Sequence, residues 1–137
     1  MILSQCHCAV HKRFSVKQVE TARKRYPDIT VLVHPECTME EVQSADKVGS
    51  TLFIRKTING APQGSKWAVC TEISLVNRLA LENPNQVVFC LDSVVRPCST
   101  MYRIHTAYLL WVLEGLLNGY KLSTRSPVPG DIRQDAQ

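Results

Sequence analysis

Ile29-Thr30-Val31-Leu32-Val33-His34-Pro35-Glu36 is the stretch that sets the fold. Its first five residues are apolar or β-branched without interruption. A run this short and this unbroken reads as a strand covered on both faces, the kind buried in a parallel sheet. Pro35 stiffens the turn that follows. His34 and Glu36 flank it, so both side chains can reach one ligand. A histidine there can donate to a carboxylate or move a proton near neutral pH, and a glutamate can accept one. The plainer alternative is a turn with a solvated acid and a satisfied histidine.

Upstream, Ser15 with Gln18 three residues on has the form of a capping box. Val16, Val19, Ala22 and Tyr26 recur at helical spacing, with Lys17, Arg23, Lys24 and Arg25 on the other faces. Pro27-Asp28 ends that helix. Downstream, Thr38 and Glu41 form a second capping box for a helix to about Asp46. Lys47-Val48 is a very short strand, and Gly49-Ser50-Thr51 turns the chain into a helix near 52–58. Trp67-Ala68-Val69-Cys70 is the next strand, and Thr71 is placed to cap a helix to about Glu82. Asn83-Pro84-Asn85 stops that helix, and Val87-Val88-Phe89-Cys90 is a fourth strand. A final helix from about His105 to Leu117 carries a wide apolar stripe and ends at Asn118-Gly119. His105 reads as a cap or packing residue.

Short strands alternating with helices predict an α/β fold, a three-layer sandwich around a short parallel sheet. In such sheets ligands gather at the carboxyl ends of the strands, where helix N-termini also point. His34 and Glu36, Ser50 and Thr51, and Thr71 and Glu72 all fall there. The hydroxyls and backbone donors of Gly49-Ser50-Thr51 suit a phosphate or carboxylate, although many helix caps look alike. No Walker loop, Rossmann fingerprint, serine elbow or HExxH pattern is present.

The chain has 137 residues, 45% of them hydrophobic, and a formal charge of +4. That is one core's worth of chain, and the modest charge suits small anions as well as weak nucleic-acid contact. The basic stretch from Lys12 to Arg25 lacks interleaved aromatics, so nucleic-acid binding has no support and a solvated helix face is the simpler reading. The longest apolar run is too short to span a bilayer, and no secretory leader is visible. A cytoplasmic, membrane-free location is expected. There the six cysteines would be reduced, buried or metal-bound rather than paired. Cys37, Cys70 and Cys90 read as small buried apolar residues. Cys8, in Cys8-Ala9-Val10-His11, and Cys98, after Arg96-Pro97, sit on loops and are candidate metal ligands. Cys6 and Cys8 are spaced poorly for sharing one tetrahedral zinc.

Taken together, several motifs resemble the quinolinate synthase (NadA) family. They are the stretch from Cys8 to Phe14, Tyr26-Pro27-Asp28, Val33-His34-Pro35-Glu36-Cys37, and the stretch from Ala45 to Thr51. The series continues with Thr71-Glu72, Leu75-Val76-Asn77-Arg78-Leu79 and Pro97-Cys98-Ser99-Thr100-Met101. Their order and spacing fit over about residues 8–117.

The resemblance implies one of three pseudo-symmetric α/β domains, each giving one cysteine to a 4Fe-4S cluster whose remaining iron acts as a Lewis acid. It implies a transferase of NAD biosynthesis that condenses iminoaspartate with dihydroxyacetone phosphate to quinolinate, releasing phosphate and water. Cys8 and Cys98 match cluster ligands. His34 and Glu36 match catalytic and substrate-binding positions, Ser50 and Thr51 match a turn that binds carboxylate or phosphate, and Glu72 matches an acid near the site that is expected to be catalytic as well. On this basis residues 1–14 are expected to be a remnant of the second domain, 15–104 the third domain, 105–119 a packing helix and 120–137 a flexible tail. The missing N-terminal domains would be partners, as could the pathway's L-aspartate oxidase, and the piece alone is expected to be inactive. Arg96 stands where relatives often carry a further cysteine, a plausible redox partner for the ligand. The alternatives are a non-catalytic module binding an anion or dicarboxylate, and a small zinc protein.

Overall fold

The computed structural model describes residues 8–92, 94 and 98–120. The expected tail beyond Tyr120 lies outside the described residues, as do Cys6, Arg96 and Pro97. The chain divides into two compact units, Met1–Ser99 and Thr100–Gln137.

The first unit alternates helix and strand. α1 (Val16–Arg25) leads to β1 (Thr30–Val33), α2 (Met39–Ser44) to β2 (Lys47–Val48), α3 (Thr51–Asn59) to β3 (Lys66–Cys70), and α4 (Ile73–Glu82) to β4 (Val87–Cys90). The four strands form one sheet in the order β2-β1-β3-β4, and every pairing is parallel. The expected α/β class with a short parallel sheet is therefore observed, and each predicted strand is present.

The unbroken apolar run of β1 is explained by cover on both sides. Val31, Leu32 and Val33 are fully buried. Successive strand side chains point to opposite faces, and the core splits accordingly. Val31 and Val33 join Ala68 and Cys70 of β3 against Phe14 and the α1 residues Val19 and Ala22. Leu32 joins Trp67 and Val69 of β3 against Ile54 and Ile58 of α3 and Val76 and Leu79 of α4. The Trp67 indole donates to Gln86 Oε1 at 2.8 Å, while Gln86 Nε2 donates to the Ile58 carbonyl at 3.0 Å. A buried donor is thus satisfied, and β3 is tied to the end of α3.

Both capping boxes form. Ser15 N donates to Gln18 Oε1 at 2.8 Å, and Thr38 N donates to Glu41 Oε2 at 2.9 Å. α2 stops at Ser44, short of Asp46, because Asp46 is engaged with β1. Its Oδ2 accepts from Val31 N at 2.7 Å and its Oδ1 pairs with Arg23 of α1 at 2.8 Å. The start of α4 corrects the expected cap. Glu72, not Thr71, is the N-cap, and its Oε2 accepts from Ser74 N at 2.8 Å and Leu75 N at 3.3 Å. The longer glutamate reaches back over the first turn, and the Thr71 hydroxyl is committed elsewhere.

The second unit holds a short turn, Met101–Arg103, and α5 (Thr106–Leu117). His105 caps α5, its Nδ1 accepting from Ala107 N at 3.2 Å. The helix closes on Gly119, whose φ of +69° places it in the left-handed region that glycine enters without penalty. Tyr120 N then reaches the Gly115 carbonyl at 2.9 Å, the long bond of a Schellman ending. Leu109, Leu110, Trp111, Leu113, Leu116 and Leu117 are all exposed. No described helix is long and apolar enough to cross a membrane.

Candidate functional site

The carboxyl edge of the sheet is set by register. Val33 at the end of β1 lies beside Cys70 of β3 and Val48 of β2. The next residues, His34, Thr71 and Gly49, therefore stand abreast. The ladder continues across them, since His34 N donates to the Cys70 carbonyl at 3.3 Å and Gly49 N to the Val33 carbonyl at 3.1 Å.

Above this edge the single turn His11–Arg13 brings in a second imidazole. The His11 ring stacks on His34, with centroids 4.5 Å apart and planes 16° from parallel. His11 Nε2 lies 3.2 Å from the Thr71 hydroxyl. His11 Nδ1 is buried and lies 2.9 Å from Glu36 Oε2, so the imidazole and the carboxylate are paired. Cys8 completes the group: its Sγ, one His11 ring nitrogen and a Glu36 carboxylate oxygen all lie within 4.8 Å of one another. His34 and Glu36 are also linked directly, because Glu36 N donates to His34 Nδ1 at 3.3 Å. That bond makes Nδ1 an acceptor and leaves the proton on Nε2, ready to donate to a ligand.

The structure thus brings His34, Glu36 and Cys8 together. It adds His11, which sequence reasoning did not select as a site residue. The available signal was its place three residues after Cys8, which puts thiol and imidazole on one side of a tight turn. Ser50 and Thr51 open α3 one step beyond Gly49, and both are exposed. The Ser50 hydroxyl oxygen accepts from Phe53 N at 3.3 Å, as a helix cap does. Glu72 is buried, with both carboxylate oxygens bonded within the first turn of α4. Cys98 is partly buried in the same compact unit as Cys8.

Thiol chemistry separates the cysteines. Burial pushes the Cys37 thiol up to about 12, with the Glu41 carboxylate adding to the effect. Burial also raises Cys70, whose neighbour Cys37 contributes, and it raises Cys90. The Cys37 and Cys90 thiols donate to backbone carbonyls of Cys70 and Thr71 at 3.8 and 3.7 Å. All three remain protonated near neutral pH; Cys37 and Cys70 serve as small core residues, and Cys90 is half-buried against that core. Cys8 and Cys98 are the described thiols that lie on loops outside this packing. As ligands for an iron–sulfur cluster they fit by donor type, since thiolates are its usual protein ligands.

Burial lowers the His11 pKa from the ordinary 6.5, helped by His34 and opposed by the Glu36 carboxylate. A base with a lower pKa when folded binds fewer protons in that state, so stability falls as pH drops. The contribution is complete above 6.5 and is lost as pH falls from there toward the folded pKa. Thermal melts between about pH 7 and pH 5 are expected to show this loss, and His11→Gln should flatten the slope. An unchanged slope in the variant would remove His11 as its cause.

Comparison with known proteins gives consistent matches. A family model described as Quinolinate synthetase A protein matches residues 1–137. Quinolinate synthase of Corynebacterium glutamicum is 57% identical over 112 residues, which are 82% of this chain and 28% of that protein. The protein of the same name from Anoxybacillus flavithermus is 48% identical over 136 residues, 99% of this chain and 37% of its own length. That of Geobacillus kaustophilus is 45% identical over 137 residues, again 37% of its length. The chain spans about a third of the length of these relatives.

Proposed function

The chain belongs to the quinolinate synthetase A family, and from that premise we propose that it supplies one face of a quinolinate synthase site. The reaction is the condensation of iminoaspartate with dihydroxyacetone phosphate to quinolinate, with release of phosphate and water. The observation that carries this reading is the meeting of Cys8, His11, His34 and Glu36 at the carboxyl edge of a parallel sheet, where α/β folds place their ligands.

Cys8 and Cys98 would hold a 4Fe-4S cluster, with a third thiolate from a neighbouring domain. When bound, the cluster supplies a Lewis acid for substrate oxygens. The chain's own residues do the rest. His34 presents Nε2–H to a substrate oxygen. Glu36, more than half exposed at 58%, accepts and returns protons as the ring closes. Ser50 and Thr51 offer hydroxyls and the α3 N-terminus to a carboxylate or phosphate. Glu72 fixes the first turn of α4, and through it Thr71 beneath His11.

In this reading residues 15–104 form one of three pseudo-symmetric three-layer domains, residues 1–14 are a remnant of the second, and the exposed apolar residues of α5 are covered by the rest of the enzyme. A cytoplasmic setting and supply of iminoaspartate by an L-aspartate oxidase accompany the proposal. The test is anaerobic reconstitution with iron and sulfide, followed by a turnover assay. The chain alone is expected to give little or no quinolinate. Fused to the part of the Anoxybacillus flavithermus relative that it does not match, it is expected to turn over. A folded, iron-loaded fusion without turnover would refute the enzymatic reading, and dicarboxylate binding that ignores iron would favour an anion-binding module instead.

A further inference from the structure

Arg13 closes the turn His11–Arg13, and its Nη2 lies 3.4 Å from Asp92 Oδ2. Asp92 stands where the chain leaves β4, just after Leu91, whose N–H still donates to the Val69 carbonyl of β3 at 3.1 Å. We propose that Arg13 and Asp92 are positioning residues: their ion pair fastens the turn that carries Cys8 and His11 to the exit of β4, from which the chain runs on to Cys98. The inference rests on the reading above, in which both thiols hold one cluster. It adds the device that sets the two cysteine-bearing segments against each other.

The turn moves as a piece. Lys12 N donates to the Cys8 carbonyl at 3.1 Å, and Arg13 N donates to the Val10 carbonyl at 3.2 Å. A grip on Arg13 is therefore a grip on Cys8. Exposed ion pairs contribute little to a fold, but three observations set this one apart. The Asp92 side chain is 13% exposed and that of Arg13 33%, so water and salt screen the pair less than an open surface pair. Both Asp92 oxygens are engaged. Oδ2 faces Arg13, while Oδ1 accepts from Val94 N at 3.0 Å. One carboxylate thus shapes the first step toward Cys98 and holds the other segment at the same time. The adjoining residues Phe14 and Leu91 are both buried in the core on the α1 side of the sheet. Each segment is already anchored beside its charged residue, so the pair forms at a smaller entropy cost.

The hold complements the one described above. His11 ties the turn to Thr71 at the exit of β3, and Arg13 extends the tie to the exit of the neighbouring strand β4. A cluster that takes thiolates from separate segments is held only as firmly as those segments are held to each other. Arg13 also offsets the Asp92 charge, which would otherwise oppose thiolates and anionic substrates at this edge.

The experiment measures iodoacetamide alkylation of Cys8 in the reduced chain, resolved by peptide mass spectrometry. Arg13→Met and Asp92→Asn are each expected to speed it about fivefold by letting the turn lift, while buried Cys37 and Cys70 stay unreactive and report an intact fold. Field effects alone have opposite signs in the two variants, because losing the cation disfavours the thiolate and losing the carboxylate favours it. Rates within about twofold of the parent, or shifts of opposite sign, would overturn the proposal. Arg13→Lys keeps the charge without the fork and is expected to fall in between, which keeps the test open if either larger change disturbs folding. In the iron-loaded fusion, Arg13→Met and Asp92→Asn should also lose the cluster's visible absorbance to a chelator about fivefold faster than the parent. Unchanged cluster loss would remove the positioning role. A parent fusion that takes up no cluster would instead refute the quinolinate synthase reading, and the alkylation rates would still decide whether the pair holds the turn.

Discussion

Replacing Leu32 with alanine is expected to remove about 3–4 kcal/mol from the unfolding free energy. Leu32 is fully buried in the middle of β1. It lies beside Lys47 of β2 and Val69 of β3. Its side chain fills the space between the sheet and the Ile54, Ile58, Val76 and Leu79 layer. Main-chain ladders hold the strand on both sides, so the backbone cannot collapse into the void, and the cavity cost adds to the lost transfer energy. Typical domains are stable by only about 5–15 kcal/mol, so the loss is a large share of the total. Urea denaturation would show a lower midpoint with an unchanged slope. A loss under about 1 kcal/mol would mean that α3 and α4 can settle onto the truncated side chain.

Glu36→Gln is expected to have the largest effect on turnover. In the iron-loaded fusion, kcat should fall by about 10²- to 10⁴-fold, the usual range for a lost general acid–base group, with a much smaller change in KM. The amide keeps the shape and the backbone bond from Glu36 N to His34 Nδ1 at 3.3 Å. What it removes is the capacity to accept a proton, and the negative charge 2.9 Å from His11 Nδ1. Steady-state kinetics with iron content matched to the parent would measure it. A kcat within tenfold of the parent would exclude Glu36 as the proton acceptor and leave it a binding role.

Most of the fold could be read from the chain because its signals are local. The apolar run at β1, the paired caps at Ser15 and Thr38, and the turn residues before β4 each act within a few positions. The site was only partly legible. His34 and Glu36 stand out beside Pro35, but His11 acquires its meaning from Thr71, 60 residues away, and no pattern near either residue announces the other. The choice between Thr71 and Glu72 as the α4 cap had the same difficulty. Either residue type can cap a helix, and the tertiary contact to His11 decides which one is free to do so. The cysteines divide along the same line: strand context foretold that Cys70 is wholly buried, whereas the company kept by Cys8 depends on how the turn after it lands on the sheet.

The all-parallel order β2-β1-β3-β4 bears on when the site comes into being. Parallel neighbours cannot zip up from a hairpin, and joining β1 to β3 requires closing a loop that contains α2, β2 and α3. His34 and Thr71 meet only at that closure, and His11 has no ledge to rest on before it. A nascent or half-assembled chain therefore holds the Cys8–His11 pair apart from the His34–Glu36 pair. The meeting of these two pairs is a late product of folding.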